Sequence, residues 1–578
     1  MIHRPLWVLT AAEMRAADRA ATVAGTPVET LMERAGAGAV RAIEKRYGRQ
    51  HGFRVRVACG KGNNGGDGFV VARLLAACGA RVEVLLFADA GSLTGAARSN
   101  WERLAGTAVV RHDLGAAGDV DGARARALAD RGLASAEPRV DLVVDALLGT
   151  GANGDLSPGV AHAVAAIRSL EESGIPVVAL DVPTGLETDS ARPLPPGDHV
   201  RADLTVTFAH LKPVHVLYPG RAACGAIEVV DIGVEPAGAG TEGAPTYELA
   251  TESAMALLLP RRNLWAHKGE SGRLLVVGGS AGLTGAVVLA STAALRVGAG
   301  LVTAGVPESV NDAIESAMIE PMTWPLPETP ERALAASAAR MVLTRAVQVS
   351  AVALGPGLSR STDATELAQR VIAECPAPIV LDADGLNAFA GHADLFAKRH
   401  GGPLAHEPGR GRRSGPAELV LTPHLGELSR LTGRSAEDLE RDRLSAPRTL
   451  AREWNAVVVM KGAPTVTASP DGRATVNSTG NPGMATAGMG DVLTGIIAGF
   501  LAQGLAAYDA ARLGVFVHGL AADFAHARVG TLALVAGDVT ATLPQAIHRL
   551  ELAGSRSFPK PLPKTRMAPA PPDPLRST

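Results

Sequence analysis

The stretch "ACGKGNNGGDGFVVARLL" at residues 58–75 contains the end of an apolar strand, a glycine-rich turn and the start of a helix, in that order. Its strand belongs to the run "VRVACG" (55–60) and is typical of a strand buried in a parallel sheet. Backbone N–H groups of such a turn and of the helix N-terminus form a site for an anion, although the same turn also serves simple chain reversal. The stretch therefore predicts an α/β fold whose ligand lies at the carboxyl edge of the sheet.

The same pattern of short apolar runs and helical stretches recurs in both halves of the sequence. The first half contains "RVEVLLF" (81–87), "VDLVVDALLG" (140–149), "PVVALDVPTG" (176–185) and "DLTVTF" (203–208). The second half contains "GRLLVVGGS" (272–280), "GLVTAGVP" (300–307), "AVALGPG" (351–357), "PIVLDADG" (378–385), "AELVLTPH" (417–424) and "AVVVMKGAPTVTAS" (456–469). We therefore predict two α/β units, each built on a mostly parallel sheet.

Glycine and proline content predicts the boundaries of these units. The run "GVEPAGAGTEGAPTYE" (233–248) has no hydrophobic period, and a second irregular segment at 398–416 is predicted to be an inserted surface loop. The chain after residue 551 is rich in proline and is predicted to be disordered. The predicted parts are a first domain, a linker, a second domain and a tail, at 1–235, 236–250, 251–551 and 552–578.

Composition excludes several classes of partner. The formal net charge is −2 and basic residues form no long block, so we expect no nucleic-acid partner. No apolar run of 18 residues and no signal sequence occurs, which predicts no membrane partner. The four cysteines have no CxxC spacing, as expected for a protein of the reducing cytoplasm.

Polar side chains follow the strands of the first half. Asn63, Asn64 and Asp67 lie in the glycine-rich turn, and Asp145 and Asp181 each follow a buried run. Asparagine and aspartate also favour turns and helix caps without any ligand, so each residue has a structural alternative. Because the carboxyl ends of parallel strands meet at one edge, the five side chains together predict a ligand site.

A single carboxylate, Asp491, stands out in the second half, within "NPGMATAGMGDVLTGIIAGF" (481–500). It lies at or near the start of a helix, where aspartate is a favoured N-cap. The glycines before it instead suggest an anion hole for a phosphoryl group, made of backbone N–H groups and the helix dipole. A carboxylate beside such a hole is placed to take a proton from an attacking hydroxyl, so we predict that Asp491 is catalytic.

Two further motifs support this second site. Lys461 and Thr465 follow a strand in "MKGAPT" (460–465) and suit a phosphate or a ribose, although a Lys-Gly pair is also common in surface turns. His424 follows another strand, in "LTPHLGE" (422–428), where it is either a ligand-binding residue or a structural histidine.

Five motifs of the first half resemble the N-terminal domain of NAD(P)H-hydrate epimerases over residues 8–235: "LMERAGAGA", "GKGNNGGDGFVVARLL", "DALLGTG", "LDVPTGL" and "TVTFAHLKP". The resemblance implies a Rossmann-like three-layer sandwich that holds a potassium ion with Asn64, Asp145 and Thr184. Threonine stands at 184 where the family usually has serine, and it keeps the hydroxyl. Oxygen donors alone suit a hard cation of this kind.

The same resemblance implies how the hydrated nicotinamide nucleotide is bound. Asp181 would be the acid/base group that acts on the C6 hydroxyl. The other implied substrate-binding residues belong to two turns: Asn63, Asn64, Gly65, Gly66 and Asp67, and Gly149, Thr150, Gly151, Ala152, Asn153, Gly154 and Asp155.

The second half, together with "HKGESGRLLVVGGSAGLTGAVVLASTAALRVGAGLVTAG" (267–305), resembles the NAD(P)H-hydrate dehydratase domain of the ribokinase-like superfamily over about 250–550. The resemblance implies a ribokinase-like three-layer sandwich. The implied residues bind the nucleotide (Lys461, Gly462, Ala463, Pro464, Thr465 and Gly490) or the hydrate (Ala286, Gly357, His424 and the catalytic Asp491). Ala487 departs from the family pattern, which often has glycine there, and slightly narrows the implied anion hole.

The two resemblances together imply a bifunctional enzyme that repairs hydrated NADH and NADPH. The first domain would interconvert the R and S hydrates, and the second would dehydrate the S form with ADP as phosphoryl donor and with magnesium. Its expected partners are these small molecules, and we expect a homo-oligomer. Two alternatives are a ribokinase-like kinase of a vitamin-precursor alcohol and a first domain that only binds nucleotide.

Overall fold

The computed structural model describes residues 5–115, 140–238, 245–262, 265, 268–399 and 418–556. They form two sheets, one of seven strands and one of eleven, each with helices on both faces. The α/β class and the two three-layer units predicted from the sequence are confirmed.

The seven-stranded sheet is entirely parallel, with the strand order β4-β3-β2-β5-β6-β7-β8. Its order reverses between β2 and β5, where a ligand site is expected beyond the carboxyl ends of the strands. The strands are β2 (Arg54–Cys59), β3 (Arg81–Leu86), β4 (Val110–Asp113), β5 (Leu142–Ala146), β6 (Val177–Leu180), β7 (Leu204–Phe208) and β8 (Ala226–Val230).

The helices of this first unit cover both faces of its sheet. Apolar residues of α1, α2 and α3 pack with one face and those of α5 with the other, which explains why the strands are apolar on both sides. The helices are α1 (Ala11–Val23), α2 (Val28–Tyr47), α3 (Asn63–Ala77), α4 (Gly95–Arg103), α5 (Pro158–Glu172) and α6 (Gly220–Ala223).

The eleven-stranded sheet has a parallel centre and a mixed edge. Its order is β1-β9-β18-β17-β16-β15-β14-β13-β10-β11-β12, and the strands from β16 to β12 are parallel. Its strands are β1 (Trp7–Val8), β9 (Tyr247–Leu249), β10 (Arg273–Val277), β11 (Leu301–Pro307), β12 (Met322–Leu326), β13 (Ala351–Leu354), β14 (Ile379–Leu381), β15 (Leu419–Leu421), β16 (Val457–Met460), β17 (Val466–Ala468) and β18 (Ala474–Val476).

Helices α7–α9 and α16–α18 pack with one face of this sheet, and α10–α15 with the other. They are α7 (Glu252–Ala256), α8 (Thr284–Arg296), α9 (Asn311–Ala317), α10 (Ala338–Ala346), α11 (Thr362–Glu374), α12 (Asp384–Asn387), α13 (Leu425–Thr432), α14 (Ala436–Arg441), α15 (Ser445–Trp454), α16 (Met489–Ala502), α17 (Ala507–Val529) and α18 (Ala536–Arg556). No helix within the described ranges is long and apolar enough to cross a membrane.

The N-terminal strand β1 joins the second sheet, although the sequence places it in the first domain. β1 pairs antiparallel with β9, which itself lies inside the predicted linker at 236–250. On its other side β1 contacts the first unit: the Leu9 N–H donates to the Leu211 carbonyl at 2.8 Å, and the Leu211 N–H donates to the Trp7 carbonyl at 3.1 Å. A two-residue strand has no periodicity, so its long-range pairing cannot be predicted from a pattern.

Two other boundaries also differ from the prediction. Helix α18 continues to Arg556, five residues into the predicted tail, and 557–578 lie outside the described residues. The predicted surface loop begins at 398, yet Arg399 is buried and donates to the carbonyl groups of Cys375 and Ala377 at 3.1 and 2.8 Å. Residues 400–416 of that loop lie outside the described part of the chain.

The two units share an apolar core. One cluster of buried residues contains Val182, Leu186, Val214 and Leu217 of the first unit together with the interior of α10–α15 in the second. Non-polar burial of this extent disfavours independent motion of the two units.

Candidate active sites

The first site lies at the carboxyl edge of the seven-stranded sheet, where β2, β5 and β6 end. Helix α3 begins at Asn63, directly after the turn that follows β2. A Cβ atom built on Gly149 would lie 3.2 Å from the Asn64 Cβ and 3.3 Å from the Asp181 Oδ2. The structure therefore brings Asn64, Gly149 and Asp181 together, as the sequence predicts.

Asp181 is held in an unusual backbone conformation directly after β6. Its φ of 63° is in the left-handed region, which is strained for a residue with a side chain and is often found at functional sites. Its N–H donates to the Val206 carbonyl at 2.8 Å, and its carbonyl lies 2.8 Å from the His215 Nε2. Because the His215 Nδ1 accepts the Lys212 N–H at 2.9 Å, the Nε2 carries the proton and donates it to Asp181.

The two carboxylate oxygens of Asp181 have different partners. Oδ1 accepts from the Lys212 Nζ at 2.6 Å and from the Thr207 hydroxyl at 3.2 Å, whereas Oδ2 accepts from the Thr150 N–H at 3.3 Å. Burial alone would raise the pKa of Asp181, but the charge and hydrogen bond of Lys212, together with His215 and the Thr150 N–H, lower the pKa below its usual value. Asp181 is therefore ionised at neutral pH.

Two other carboxyl groups lie near Asp181 and are shifted in the opposite direction. Burial, with the charges of Asp181 and Asp18, raises the pKa of Asp67 in α3 well above its usual range. Burial also raises the pKa of Asp18, which α1 contributes. A site that separates the pKa values of neighbouring carboxyl groups provides both a base and an acid.

Asn64, Asp145 and Thr184 form one connected group beneath this site. The Thr184 hydroxyl donates to the Asp145 Oδ1 at 2.7 Å and accepts the Leu148 N–H at 3.1 Å. The Asn64 Nδ2 donates to the Leu148 carbonyl at 2.8 Å, but its buried Oδ1 has no hydrogen-bond partner. Leu148 and Thr184 thus link an unsatisfied buried oxygen to a buried carboxylate, which fits the predicted cation site. Burial raises the pKa of Asp145 to about 6, against the hydrogen bonds from Thr184 and Leu147.

The remaining residues of the two predicted turns differ in exposure. Gly65 and Gly66 are buried at the start of α3, whereas Asn63 is exposed. Gly151, Asn153, Gly154 and Asp155 are exposed, Ala152 is half-buried, and the Ala152 N–H closes the turn on the Gly149 carbonyl at 3.1 Å. The inner part of that turn, at Gly149 and Thr150, is thus the part that meets Asp181.

The second site lies where α16 begins, and its first feature is the position of Asp491. The N-cap of α16 is Gly488, with a φ of 84°, and Asp491 is the third helical residue. The alternative that Asp491 caps this helix is therefore wrong. Burial raises the pKa of Asp491 to about 7, with further contributions from the charges of Asp382, Asp384 and Glu427 against that of Lys461.

Lys461 connects the residues of this site. Its Nζ lies 2.8 Å from the Asp382 Oδ1 and 3.6 Å from the Glu427 Oε2. The Asp382 Oδ2 accepts from the Thr494 hydroxyl at 2.7 Å, one helical turn beyond Asp491. A Cβ atom built on Gly490 would lie 3.3 Å from the Lys461 Nζ, so a glycine allows the helix to approach this ion pair.

His424 has the structural role that the sequence left open. It is the N-cap of α13: its Nδ1 accepts the Gly426 and Glu427 N–H groups at 3.0 and 3.3 Å, and Glu427 bonds back to the His424 N–H at 2.8 Å. The Lys461 N–H donates to the Pro423 carbonyl at 2.9 Å, which places His424 beside Lys461. The cap uses only one ring nitrogen.

The other predicted residues lie on both sides of this centre. The Arg443 guanidinium donates to the Pro464 carbonyl at 2.9 Å and so supports the turn at 461–465. Gly357 has a φ of 61°, and a Cβ atom built on it would lie 3.3 Å from the Ala286 Cβ. Gly357 and Ala286 are therefore neighbours, as expected for residues that bind one ligand.

Several polar residues of both sites were not predicted from the sequence. They are Asp18, Thr207 and His215 in the first, and Asp382, Glu427, Arg443 and Thr494 in the second; Lys212 lies in a quoted motif but received no role. Asp382 gave the same signal as Asp145 and Asp181, a carboxylate directly after a buried strand, and could have been found by it. Thr207, Glu427 and Thr494 lie in quoted motifs, but their residue types alone do not distinguish them from structural positions. Asp18, His215 and Arg443 lie outside the quoted motifs and give no local signal.

Comparison with known proteins agrees with this division into two sites. Residues 28–214 match the family model described as YjeF-related protein N-terminus, and residues 274–545 match that described as NAD(P)H-hydrate dehydratase. A bifunctional NAD(P)H-hydrate repair enzyme of Moorella thermoacetica is 42% identical over 94% of this chain and 97% of its own length. The chain belongs to the family of bifunctional NAD(P)H-hydrate repair enzymes.

Other members of the repair-enzyme family are similar along nearly their whole length. The repair enzyme of Salinibacter ruber is 38% identical over 93% of this chain and 95% of its own, and that of Escherichia coli is 34% identical over 94% of both chains. The resemblance inferred from the motifs is confirmed by these matches.

Proposed function

We propose that this repair enzyme performs two reactions in sequence on hydrated NADH and NADPH. The seven-stranded unit interconverts the R and S hydrates, and the eleven-stranded unit dehydrates the S form with ADP. The observation that carries this proposal is that one chain of the repair-enzyme family contains two separate carboxylate sites, at Asp181 and at Asp491. We assign the epimerase to residues up to 235 and the dehydratase to 251–556. Strand β1 comes from the epimerase part of the sequence but pairs with the dehydratase sheet.

In the epimerase, loss of the C6 hydroxyl as water requires a proton, and its return on the other face requires removal of one. Asp67 has a raised pKa and is suited to give the first proton, while the ionised Asp181 is suited to accept the second from the returning water. Electrons from the ring nitrogen stabilise the cation between the two steps. The proton then returns from Asp181 to Asp67 through solvent.

The unsatisfied Asn64 Oδ1, the Asp145 carboxylate and the Thr184 hydroxyl support a potassium ion under this site. These three side chains would hold the ion, whose charge supplies electrostatic support to the turn that meets the substrate. The buried Asp145 would remain ionised beside it.

In the dehydratase, the C6 hydroxyl of the S hydrate attacks the terminal phosphorus of ADP, and Asp491 takes the hydroxyl proton. The bond from phosphorus to the bridging oxygen breaks, and AMP leaves. The phosphate then departs from C6 and a proton departs from C5, which restores NADH or NADPH. Backbone N–H groups at the start of α16 and the charge of Lys461 stabilise the transferring phosphoryl group.

The buried carboxylates of Asp382 and Glu427 suit the magnesium that we expect with the nucleotide, because magnesium is usually held by one or two carboxylates and by substrate phosphates. The neutral His424 has an exposed ring that would meet the hydrate, and its Nε2 lies 3.4 Å from the Glu427 Oε1. Unpaired thiols at Cys59, Cys78, Cys224 and Cys375 support our expectation of a cytoplasmic protein.

The test is incubation of the purified protein with mixed R and S hydrates. With ADP, both epimers should be converted to NADH or NADPH with release of free phosphate, whereas without ADP only their interconversion should be observed. A stable phosphate ester in place of free phosphate would instead support the kinase alternative.

A further inference from the structure

Lys212 is a buried ammonium group to which the proposed reaction assigns no step of its own. Its side chain is 2% exposed. The Nζ donates to the Asp181 Oδ1 at 2.6 Å, to the Thr207 Oγ1 at 2.8 Å and to the Phe208 carbonyl at 2.9 Å. Since an ammonium group has three hydrogens, all of them are used within the protein.

This arrangement fixes one side of the Asp181 carboxylate. Oδ1 faces Lys212 and Thr207, whereas Oδ2 faces the Thr150 N–H and the Gly149 backbone, which belong to the proposed substrate turn. Rotation of the carboxylate would break the 2.6 Å ion pair, which is costly for two groups that are this far from water. Oδ2 is therefore the oxygen that remains directed at the substrate turn.

The residues around Lys212 fix the backbone of Asp181 as well. The neutral His215 accepts the Lys212 N–H and donates to the carbonyl of Asp181, whose φ is 63°. Lys212 and its neighbour thus hold both the main chain and the side chain of one aspartate. Such double support is what a strained conformation at a functional site requires.

We propose that Lys212 is a positioning residue for epimerisation: its ammonium group holds Oδ1 of Asp181, so that Oδ2 is the oxygen that accepts the proton from the returning water. This inference rests on the proposed epimerase function. It assigns Lys212 to the reaction without contact between Lys212 and the substrate.

The charges that face Asp181 give the expected direction of change. Lys212, the neutral His215 and the carboxyl groups of Asp18 and Asp67 surround it, and Arg19 lies beside Asp18. Among the groups that lower the pKa of Asp181 against burial, Lys212 has the largest effect. Its removal should raise this pKa, so that Asp181 becomes ionised only at higher pH and the epimerisation rate is lost at the acidic end of its pH profile.

The test is Lys212→Met, which keeps an unbranched side chain one atom shorter and removes its charge. We expect kcat for epimerisation to fall about 10²-fold, as for a misplaced catalytic group, while KM changes less than about threefold. The acidic limb of the pH profile should move to higher pH. Dehydration of the pure S hydrate should be unchanged, and the control Lys45→Met, at an exposed lysine of the same unit, should behave as wild type in both reactions.

A second variant decides the matter if Lys212→Met also loses dehydration and is therefore misfolded. Thr207→Val keeps the size of the side chain and removes the hydroxyl that contacts both Lys212 and Asp181. It should lower kcat for epimerisation about tenfold with little change in KM. If a folded variant keeps the wild-type kcat and pH profile for epimerisation, the proposal is overturned. If the wild-type protein itself shows no epimerisation, the proposed function is rejected instead.

Discussion

At the scale of single residues, the surroundings of Asp181 and Asp491 shift the pKa values of these two carboxyl groups in opposite directions. Asp181 directly follows a strand, and Asp491 lies in the first turn of a helix. Lys212 lowers the pKa of Asp181, whereas burial and nearby carboxylates raise that of Asp491 to about 7. Asp181 is thus ionised at neutral pH before it accepts a proton, and Asp491 is a base that is poised near the pH of the cell.

Replacement of Asp491 tests its role as the base. Asp491→Asn keeps the size of the side chain but cannot accept the proton, so phosphate release from ADP and hydrate should fall about 10²–10⁴-fold. Because Gly488 caps the helix, the melting temperature should be unchanged or slightly higher, since a charge near Asp382 is removed. Near-wild-type turnover, measured by phosphate release, would mean that another group is the base.

The pH dependence of dehydration follows from the same residue. A base with a pKa of about 7 is ionised above that pH, so kcat should rise as the pH increases from 6 to 7 and level off above about 8. The residual activity of Asp491→Asn should lack this limb. A wild-type profile that is flat between pH 6 and 8 would contradict the assignment.

The proposed potassium site makes a prediction that needs no activity measurement. Potassium should raise the melting temperature of the wild type relative to lithium, because it binds only the folded protein. Asn64→Ala removes the unsatisfied Oδ1 and should abolish this difference, while the control Asn63→Ala, at the exposed neighbour, should keep it. An equal potassium effect in both variants, measured by thermal unfolding, would place the ion elsewhere.

At the scale of elements, strand β1 connects the two units. It pairs with β9 of the second sheet and exchanges backbone hydrogen bonds with Leu211, the residue before Lys212. It also leads into α1, whose Glu13 accepts from the Thr246 hydroxyl at 3.0 Å and whose Asp18 lies near Asp181. The surroundings of the epimerase site therefore depend on an edge of the dehydratase sheet.

Deletion of residues 1–9 tests this connection. It removes β1, two bonds to Leu211 and the buried side chains of Val8 and Leu9, so the free energy of unfolding should fall by at least about 3 kcal/mol. Epimerisation should be reduced more than dehydration, since Lys212 follows Leu211. The control is a deletion of residues 1–5, which leaves β1 in place. An equal free energy of unfolding for the two deletion variants, measured by denaturant unfolding, would contradict this account.

The elements also explain how far the sequence could predict the molecule. The buried strands and the glycine-rich turns after them are local features, and from them the α/β class and the convergence of Asn64, Gly149 and Asp181 follow. Pairing of β1 and the contacts of Lys212 join residues that are far apart in sequence, so no local pattern indicates them. The N-cap residue of α16 could not be predicted, because glycine and aspartate are both favoured at an N-cap and Gly488, Gly490 and Asp491 stand close together at its start.

At the scale of the whole molecule, two sites in one chain divide the repair of a damaged cofactor. In the function proposed here the dehydratase acts on the S hydrate, so the R hydrate first passes through the epimerase. Because Asp181 and Asp491 lie at the edges of different sheets, each reaction should be removable without the other, even though the units share an apolar core.

The most direct test of this account is the conversion of pure R hydrate to NADH in the presence of ADP, by the wild type and by Asp181→Ala. Spontaneous epimerisation is measured in a sample without protein and is subtracted. We predict that the wild type converts the R hydrate, whereas Asp181→Ala converts it only at the spontaneous rate and still converts the S hydrate at the wild-type rate. Loss of S-hydrate conversion in folded Asp181→Ala, or rapid conversion of the R hydrate by it, would contradict the division into two sites.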